Sequence, residues 1–426
     1  MTTTPSALTR IDLTEGEGWS TWTLSPGQAH VLTSERAAKL VDIKPAGRQR
    51  RGTRDRYELR AKAMVGGVRL GGDDSAVQLR ITPKIPVDRL LYLLAYATGH
   101  AQWSDEPVEA GARHELLPAV GHAFTEAADR ALRPGVLLGY REVEDTLPML
   151  RGRLRAPAQL RRRPGLALPL EVTYDDHTPD IAENRLLLGA ARRLLGLPGL
   201  DPTLRARLRR IVVQLDGVTA PRPGAPLSTW TANRLNTRYH RALGLAELIL
   251  RGASYELDDG RRVLVDGLLL EMWRVFETFL AAALGEELRR RAGGRAEPCD
   301  RDHYLDLGKK ELLKPDLIHY LPPSDGGRRL VPAIIVDAKY KDGTKRADLY
   351  QMFAYCVRLG VGEGHLVSAA GSENRMEVPV AGKMVRLYRH VVDLSLPYRQ
   401  LRARIEELAG VMLHIRAESS AQLHES

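Results

Sequence analysis

Apolar and polar positions follow different periods along the chain and divide it into three parts. Residues 1–86 alternate in places and contain the pairs Gly66-Gly67 and Gly71-Gly72, a pattern typical of strands joined by tight turns. From residue 87 the apolar spacing becomes helical, which predicts helices over 87–99, 117–135, 177–199, 202–216 and 230–251. Thr178 is expected to cap the third of these helices, with Pro179 in its first turn.

From residue 252 helices and strands alternate. A long helix is predicted over 266–291, and the elements expected after it are strands near 303–307, 315–321 and 332–338, a helix over 345–359, three more strands and a last helix from Pro397. The fold class is therefore multidomain α+β and α/β. A β-rich amino-terminal domain (1–86) precedes a mainly helical middle region (87–251) and a carboxy-terminal α/β domain (252–426).

Composition narrows the class of protein. The chain has 426 residues, and no apolar run approaches the roughly 18 to 20 residues that span a bilayer. The opening "MTTTPSALTR" does not have the pattern of a secretory signal, and Cys299 and Cys356 are too few for a disulfide framework. We therefore expect a cytoplasmic protein without a membrane partner.

The net charge of +10 favours a polyanionic partner. "RGRLRAPAQLRRR" (151–163) carries six arginines and no acid, so Arg151, Arg153 and Arg155 are candidate phosphate contacts, and 47–62 is a second basic segment. Six of the eleven lysines lie between residues 309 and 345, a clustering that indicates positions where a compact ammonium is needed.

The strongest chemical signal is a pair of motifs on consecutive predicted strands. Pro315-Asp316 opens the first strand and Asp337-Ala338-Lys339 closes the next, so an antiparallel pairing would bring Asp316 beside Asp337. Two carboxylates and the Ala338 carbonyl form an oxygen site of the kind that Mg²⁺ accepts. Asp337 and Lys339 share a face of the strand, where the lysine could orient or deprotonate a water.

Each half of this pair has a decoy elsewhere. Asp42-Ile43-Lys44 repeats the D-x-K form without a Pro-Asp on a neighbouring strand, and Pro179-Asp180 is expected to open a helix. The tripeptide alone therefore carries little information, and its pairing carries nearly all of it.

Two predicted helices add candidates. Glu277 shares a helical face with Trp273, Leu280 and Leu284, where a carboxylate needs either a metal site or a structural ion pair as partner. Gln351 and Tyr355 lie four residues apart on one face of the later helix. The alternatives for this pair are contact with the DNA backbone, bracing of Lys339, and a helix packing face with a polar edge. Lys341 is expected to face substrate phosphate or solvent rather than the metal.

This ordered set resembles the PD-(D/E)xK nuclease superfamily, in particular its RecB-like branch. The segments upstream that resemble the McrC family are "RITPKIPVDRLLYLLAYA" (80–97), "LRGRLRAPAQL" (150–160) and "YDDHTPDIAENRLLLGAARRLL" (174–195). The resemblance implies a restriction-endonuclease-like core at 252–426 and cleavage of methylated DNA with Mg²⁺, for which Mn²⁺ can substitute.

The same resemblance implies a partner. In the McrC family the amino-terminal region docks into the pore of an AAA+ GTPase ring (McrB) and stimulates GTP hydrolysis, so 1–86 is expected to be the partner-docking domain. No G-x-x-x-x-G-K-[ST] loop occurs in the chain, which agrees with a protein that has no nucleotide site of its own.

Three hypotheses follow. The leading one is a Mg²⁺-dependent DNA endonuclease subunit in which Asp316 and Asp337 bind metal, Lys339 assists the water and Glu277 completes the site. The alternatives are a non-catalytic adaptor that clamps DNA and activates an AAA+ NTPase, and a general basic DNA-binding protein. Divalent-ion titration of DNA cleavage separates the three.

Overall fold

The computed structural model describes residues 9–47, 55–72, 75–97, 116–197, 200–222, 225–251, 267–297, 303–323, 329–342, 345–380 and 383–424. Contacts group the chain into two compact units. The first joins Met1–Ala119 to Leu268–Ser426, and the second is Val120–Gly267. Each unit mixes helices with sheets, so the chain is a multidomain protein of mixed α and β structure.

The elements are numbered in chain order. The strands are β1 Thr9–Thr14, β2 Ser20–Leu24, β3 Val41–Pro45, β4 Asp55–Ala61, β5 Met64–Leu70, β6 Val77–Thr82, β7 Gly139–Leu147, β8 Arg153–Leu154, β9 Leu170–Thr178, β10 Gly267–Glu271, β11 Arg295–Glu297, β12 Leu317–Leu321, β13 Val331–Asp342, β14 Glu363–Ala370, β15 Asn374–Val380 and β16 Lys383–Val391. The helices are α1 Pro26–Thr33, α2 Glu35–Ala38, α3 Val87–Ala97, α4 Leu116–Leu132, α5 Ala156–Arg162, α6 Ala182–Leu195, α7 Pro202–Gln214, α8 His240–Arg251, α9 Met272–Ala292, α10 Arg346–Leu359 and α11 Tyr398–His424.

The first unit begins with a four-stranded sheet in the order β1-β6-β5-β10 and a three-stranded sheet in the order β2-β4-β3. Gly66 and Gly67, which we expected in a turn, lie inside β5 and pair with β6. The turn between these strands is at Gly71, whose φ is +81° and where a Cβ would lie 2.8 Å from the carbonyl oxygen of Ser75. Only glycine fits this position without strain.

The segment 266–291, predicted as one helix, consists of β10 followed by α9. β10 adds to the edge of the amino-terminal sheet, with Leu269 and Leu270 buried, so the helix begins only at Met272. The backbone N–H of Met272 donates to the carbonyl of Ala63 at 3.2 Å. Because of this pairing, the compact units differ from a division at residues 86 and 251.

The carboxy-terminal part of the first unit contains a six-stranded sheet in the order β11-β12-β13-β14-β16-β15. β12 and β13 are antiparallel, as the two motifs required, and β13, β14 and β16 run parallel. α10 packs on this sheet through Met352, Tyr355 and Cys356, which are buried around Ile335. The strand expected near 303–307 is reduced to one bridge between Tyr304 and Leu312.

The second unit packs α6 against α7 and α8 and contains the sheet β7-β9-β8. Thr178 does not cap α6, because it is the last residue of β9 and pairs with β7. α6 begins at Ala182, and Asp180 is instead buried in an ion pair with Arg185 at 2.7 Å. The helix predicted at 230–251 begins at His240, after a short 3-10 turn.

No helix in the described ranges is both long and apolar enough to cross a membrane.

Candidate active site

Asp316 immediately precedes β12, and Asp337 lies in the middle of β13, which continues to Asp342 instead of closing at the motif as predicted. Leu317 pairs with Val336 in the antiparallel ladder, so the two aspartates flank one register position. The backbone N–H of Ala338 donates to Asp316 Oδ2 at 2.6 Å, and a side-chain hydrogen bond joins Asp316 to Asp337. The structure therefore brings together the two halves of the predicted motif.

Lys339 lies on the same face as Asp337. Its Nζ is 2.5 Å from Asp337 Oδ2 and 4.0 Å from Asp348 Oδ1, and its side chain is largely shielded from solvent. Burial alone would lower the pKa of this ammonium, but the neighbouring carboxylates, Asp337 first, raise it above its ordinary value. Lys339 is therefore a charged group at neutral pH.

A hydrogen-bonded chain holds Lys339 from α10. Its Nζ donates to Gln351 Oε1 at 3.2 Å, and Gln351 Nε2 donates to the Tyr355 hydroxyl at 2.8 Å. Burial and the charge of Asp337 raise the pKa of Tyr355, so its hydroxyl stays neutral. Of the roles left open for Gln351 and Tyr355, this geometry matches bracing of the lysine.

Glu277 lies on α9, half-buried, and burial together with the charge of Asp316 raises its pKa to about 8. Of the face predicted for α9, Leu280 and Leu284 are buried as expected, but Trp273 is 37% exposed and Phe276 is buried in its place. α9 packs on β12 and β13, which explains why its buried stripe runs through Phe276 rather than Trp273.

The carboxylates at this site resist ionisation. Burial and the charge of Asp337 raise the pKa of Asp316 to about 7, and burial also raises the pKa of Asp337. With Glu277, the site holds three carboxyl groups and one ammonium, which leaves two negative charges when all are ionised. A divalent cation is the natural partner for such a set.

The oxygen atoms of this site suit a hard cation that binds only a few protein ligands. Asp337 Oδ2 is buried, and within the described ranges no donor meets hydrogen-bond geometry with it, although the Lys339 ion pair is close. No group of three or more His, Cys, Asp or Glu side chains forms a metal cage among the described residues. Asp316, Asp337 and the Ala338 carbonyl therefore fit Mg²⁺, which keeps several waters, better than zinc.

The predicted arginines lie in the second unit. Arg151 forms an ion pair with Asp176 at 3.0 Å and Arg155 one with Glu144 at 2.7 Å, while Arg153 is exposed on β8. The acids in this sheet thus neutralise part of the arginine-rich segment. DNA binding by these arginines stays a prediction.

Two of the predicted basic positions lie outside the described residues. These are the side chain of Lys341 and, in the basic segment 47–62, residues 48–54.

Sequence reasoning missed two acids that touch this region. Asp348 approaches Lys339, and its spacing of three residues from Gln351 on one helix could have indicated it. Glu15 accepts a hydrogen bond from the hydroxyl of Tyr340, the residue after Lys339. No local pattern connects positions so far apart in sequence.

Comparisons with known proteins agree with this architecture. A family model described as "McrBC 5-methylcytosine restriction system component" matches residues 59–368, well over half of the chain. Among curated proteins, the chain is similar to the "Type IV methyl-directed restriction enzyme EcoKMcrBC" of Escherichia coli (strain K12), with 25% identity over 163 residues. That alignment covers 37% of this chain and 46% of the relative, so the chain spans about half of the relative's length.

One solved structure shows a related fold. The chain is similar to one in the half-complex from the tetradecameric assembly of Thermococcus gammatolerans McrB AAA+ hexamers with bound McrC, with a TM-score of 0.50 and 16% identity over 94% of this chain and 100% of that one. A chain of the Thermococcus gammatolerans McrBC complex matches 66% of this chain and 88% of its own length at 20% identity, with a TM-score of 0.40. On the match at residues 59–368, the chain belongs to the McrBC family of 5-methylcytosine restriction system components.

Proposed function

We propose that this chain is the DNA-cleaving subunit of a modification-dependent restriction system and that its six-stranded sheet is a PD-(D/E)xK nuclease core. The observation that supports the proposal is the group of three carboxyl groups, all with raised pKa values, beside a shielded ammonium in the second half of β13. A strand that served only the fold would gain no stability from such a costly arrangement.

Asp316, Asp337 and the carbonyl of Ala338 are the residues that would hold Mg²⁺. When bound, the ion polarises the scissile phosphate and lowers the pKa of a coordinated water. Mn²⁺ offers similar oxygen coordination and would serve as a substitute. Glu277 lies near this set on α9, where the charges of Asp316 and Asp337 help to raise its pKa, and it would add a third carboxylate beside the ion.

Lys339 contributes charge rather than basicity. A general base at neutral pH needs a pKa near 7, whereas the pKa of Lys339 is raised above its already high ordinary value. Its ammonium therefore orients the attacking water and stabilises negative charge that develops on the phosphate. Gln351 and Tyr355 fix the direction in which it points.

The partner proposed for the chain is an AAA+ GTPase ring of McrB type, and the substrate is DNA that carries a modified cytosine. The family's description, a 5-methylcytosine restriction system component, supports the modified DNA. The related fold of a chain in the assembly of McrB AAA+ hexamers with bound McrC supports the ring. The cytoplasm is the compartment in which such a system meets invading DNA.

Divalent-ion titration with the partner ring tests the proposal against its alternatives. We expect cleavage of methylated DNA that requires Mg²⁺, the ring and GTP together. Stimulation of the ring's GTPase without cleavage at any metal concentration would favour the adaptor. Salt-sensitive binding alone would favour a general DNA-binding protein.

A further inference from the structure

The turn between His303 and Leu313, here called the 303–313 turn, has a well-defined conformation. The backbone N–H of Leu305 donates to the carbonyl of Glu311 at 2.8 Å and that of Leu313 to His303 at 2.8 Å. At the tip, Asp306 Oδ1 accepts the N–H groups of the two residues four and five positions later, both at 2.9 Å. Backbone and Asp306 bonds thus hold the tip of the turn, while buried Leu313 anchors its carboxy-terminal end.

Leu307 stands at the tip of this turn and is 97% exposed, which makes it the most exposed large apolar side chain in the described part of the chain. Burying a leucine is a main source of folding free energy, and Leu307 contributes none of it here. Leu305, two residues earlier, is 50% exposed, so the turn presents two neighbouring apolar side chains to solvent, as a contact surface does.

The charges around Leu307 indicate what it contacts. Lys309 and Lys310 follow it in the same turn, and Lys314 follows two residues before Asp316, all three exposed. Lys309 has a φ of +56°, a left-handed conformation that favours glycine, yet the position carries an ammonium. The three lysines outnumber the two acids of the turn, Asp306 and Glu311, so the segment keeps a net positive charge that complements a phosphate backbone.

The turn rises directly from the candidate active site. Leu313 is buried in the apolar cluster with Ile335 and Tyr355, and a backbone hydrogen bond links Lys314 to Tyr355. Leu307 precedes Asp316 by nine residues, so even a fully extended chain would separate them by no more than about 30 Å. This reach is shorter than one helical turn of duplex DNA, about 34 Å.

We propose that the 303–313 turn is a DNA-binding element in which Lys309, Lys310 and Lys314 contact backbone phosphates and Leu307 packs against sugar and base edges in the minor groove. Apolar residues flanked by basic ones make such contacts in many proteins that bind the minor groove. The inference rests on the proposed nuclease function, because it assigns the turn the same DNA that the site would cut.

The test measures binding of the full-length chain and its partner ring to a fluorescent methylated 30-base-pair duplex. Ca²⁺ replaces Mg²⁺ in this assay, and gel analysis of the duplex checks that it stays uncut. The variant Leu307→Ser alters a side chain with almost no packing, and we expect about three- to tenfold weaker binding with an unchanged salt slope. The double variant Lys309→Glu/Lys310→Glu should weaken binding more than tenfold and reduce the salt slope by about two. The matched control Leu235→Ser, at an 82% exposed leucine of the second unit, should bind like the parent chain.

Three results would overturn the proposal. The first is unchanged DNA binding in both turn variants. The second is an equal loss of DNA binding in the Leu235→Ser control. The third is reduced stimulation of the ring's GTPase with DNA binding unchanged, which would assign the turn to contact with the ring. Cleavage by Asp337→Ala is scored separately in Mg²⁺. If Asp337→Ala still cuts DNA, the nuclease assignment is wrong. If Asp337→Ala is inactive but the turn variants bind DNA like the parent chain, only the DNA-binding role of the turn is wrong.

Discussion

The hydroxyl of Tyr340 donates a hydrogen bond to Glu15 Oε2 at 3.0 Å, across 325 positions of sequence. Glu15 is only 3% exposed, and the ammonium of Lys84 lies 4.6 Å from the centre of the Tyr340 ring. Tyr340 follows Lys339 directly, where the pairing of β13 with β14 becomes irregular. The amino-terminal segment therefore supports the strand that carries Asp337 and Lys339.

Glu15→Gln should make the chain more stable at alkaline pH. Burial raises the pKa of Glu15 from 4.5 to about 7, so the folded chain holds a proton that the unfolded chain has lost between these values. Its contribution to stability is full below pH 4.5, falls as the pH rises to about 7, and then stays level, a loss of at most about 3 kcal/mol. Measured from pH 4.5 to 8, the thermal unfolding midpoint of Glu15→Gln should exceed that of the parent chain only at the upper end of this range. A variant less stable than the parent at pH 8 would contradict the buried-acid assignment.

Some of this arrangement could be predicted from sequence and some could not. Asp316 lies beside Asp337 because β12 and β13 are consecutive antiparallel strands joined by one loop. The alternation of apolar residues and the two motifs were therefore enough to predict this pairing from sequence. The apolar run after residue 266 did not reveal β10, because its edge partner β5 lies some 200 residues earlier in the chain. A short apolar segment reads equally well as strand or helix until its neighbour is known.

Local capping rules failed at Thr178 for a related reason. Its hydroxyl could cap a helix, but the ladder with β7 carries the strand through this residue, and Asp180 pairs with arginines instead. Tertiary pairing overrode a sound local signal. Glu15 and Tyr340 are the extreme case, since neither residue has a neighbour in sequence that indicates the other.

The affinity for Mg²⁺ should depend on pH. Asp316 and Glu277 have pKa values of about 7 and about 8, so protons compete with the cation at neutral pH. Calorimetric titration should give an affinity that rises by up to about 100-fold per pH unit between pH 6 and 7, where both groups lose a proton when the cation binds, by up to about tenfold between pH 7 and 8, and levels off above pH 8. An affinity that is constant from pH 6 to 8 would exclude these carboxylates as the binding groups.

Asp337→Asn should stabilise the metal-free chain and remove its response to Mg²⁺. The pKa of Asp337 is raised, so burial opposes its charge by more than the ion pair with Lys339 favours it, and a neutral amide avoids that cost while it removes one ligand oxygen charge. In EDTA we expect a higher thermal midpoint than that of the parent at pH 8, and no further rise when Mg²⁺ is added.

Asp42→Asn is the matched control for this measurement. It alters the decoy D-x-K motif on β3, where Arg60 lowers the pKa of Asp42 at a distance of 2.8 Å. The control should lose stability slightly or not at all and keep the Mg²⁺ response. A Mg²⁺ response retained by Asp337→Asn would place the cation elsewhere.

Gln351→Ala should slow cleavage by reorienting Lys339. Losing the hydrogen bond to Lys339 leaves the ammonium held only by carboxylates, so we expect kcat to fall about tenfold while KM for DNA stays close to that of the parent. Lys339→Ala removes the charge itself and should cost about 100-fold or more. The exposed neighbour Tyr350→Ala is the control. An unchanged kcat in Gln351→Ala, or a loss equal to that in Tyr350→Ala, would rule out the bracing role.

Cleavage by Asp337→Ala tests the central claim most directly. Purified full-length chain, the AAA+ partner ring, GTP, Mg²⁺ and methylated DNA form the assay, with Asp42→Ala as the matched control and GTPase stimulation as the readout of assembly. The account predicts that Asp337→Ala stimulates the ring normally but leaves the DNA uncut, while Asp42→Ala cuts it like the parent. DNA cleavage by Asp337→Ala at the parent rate would contradict the account.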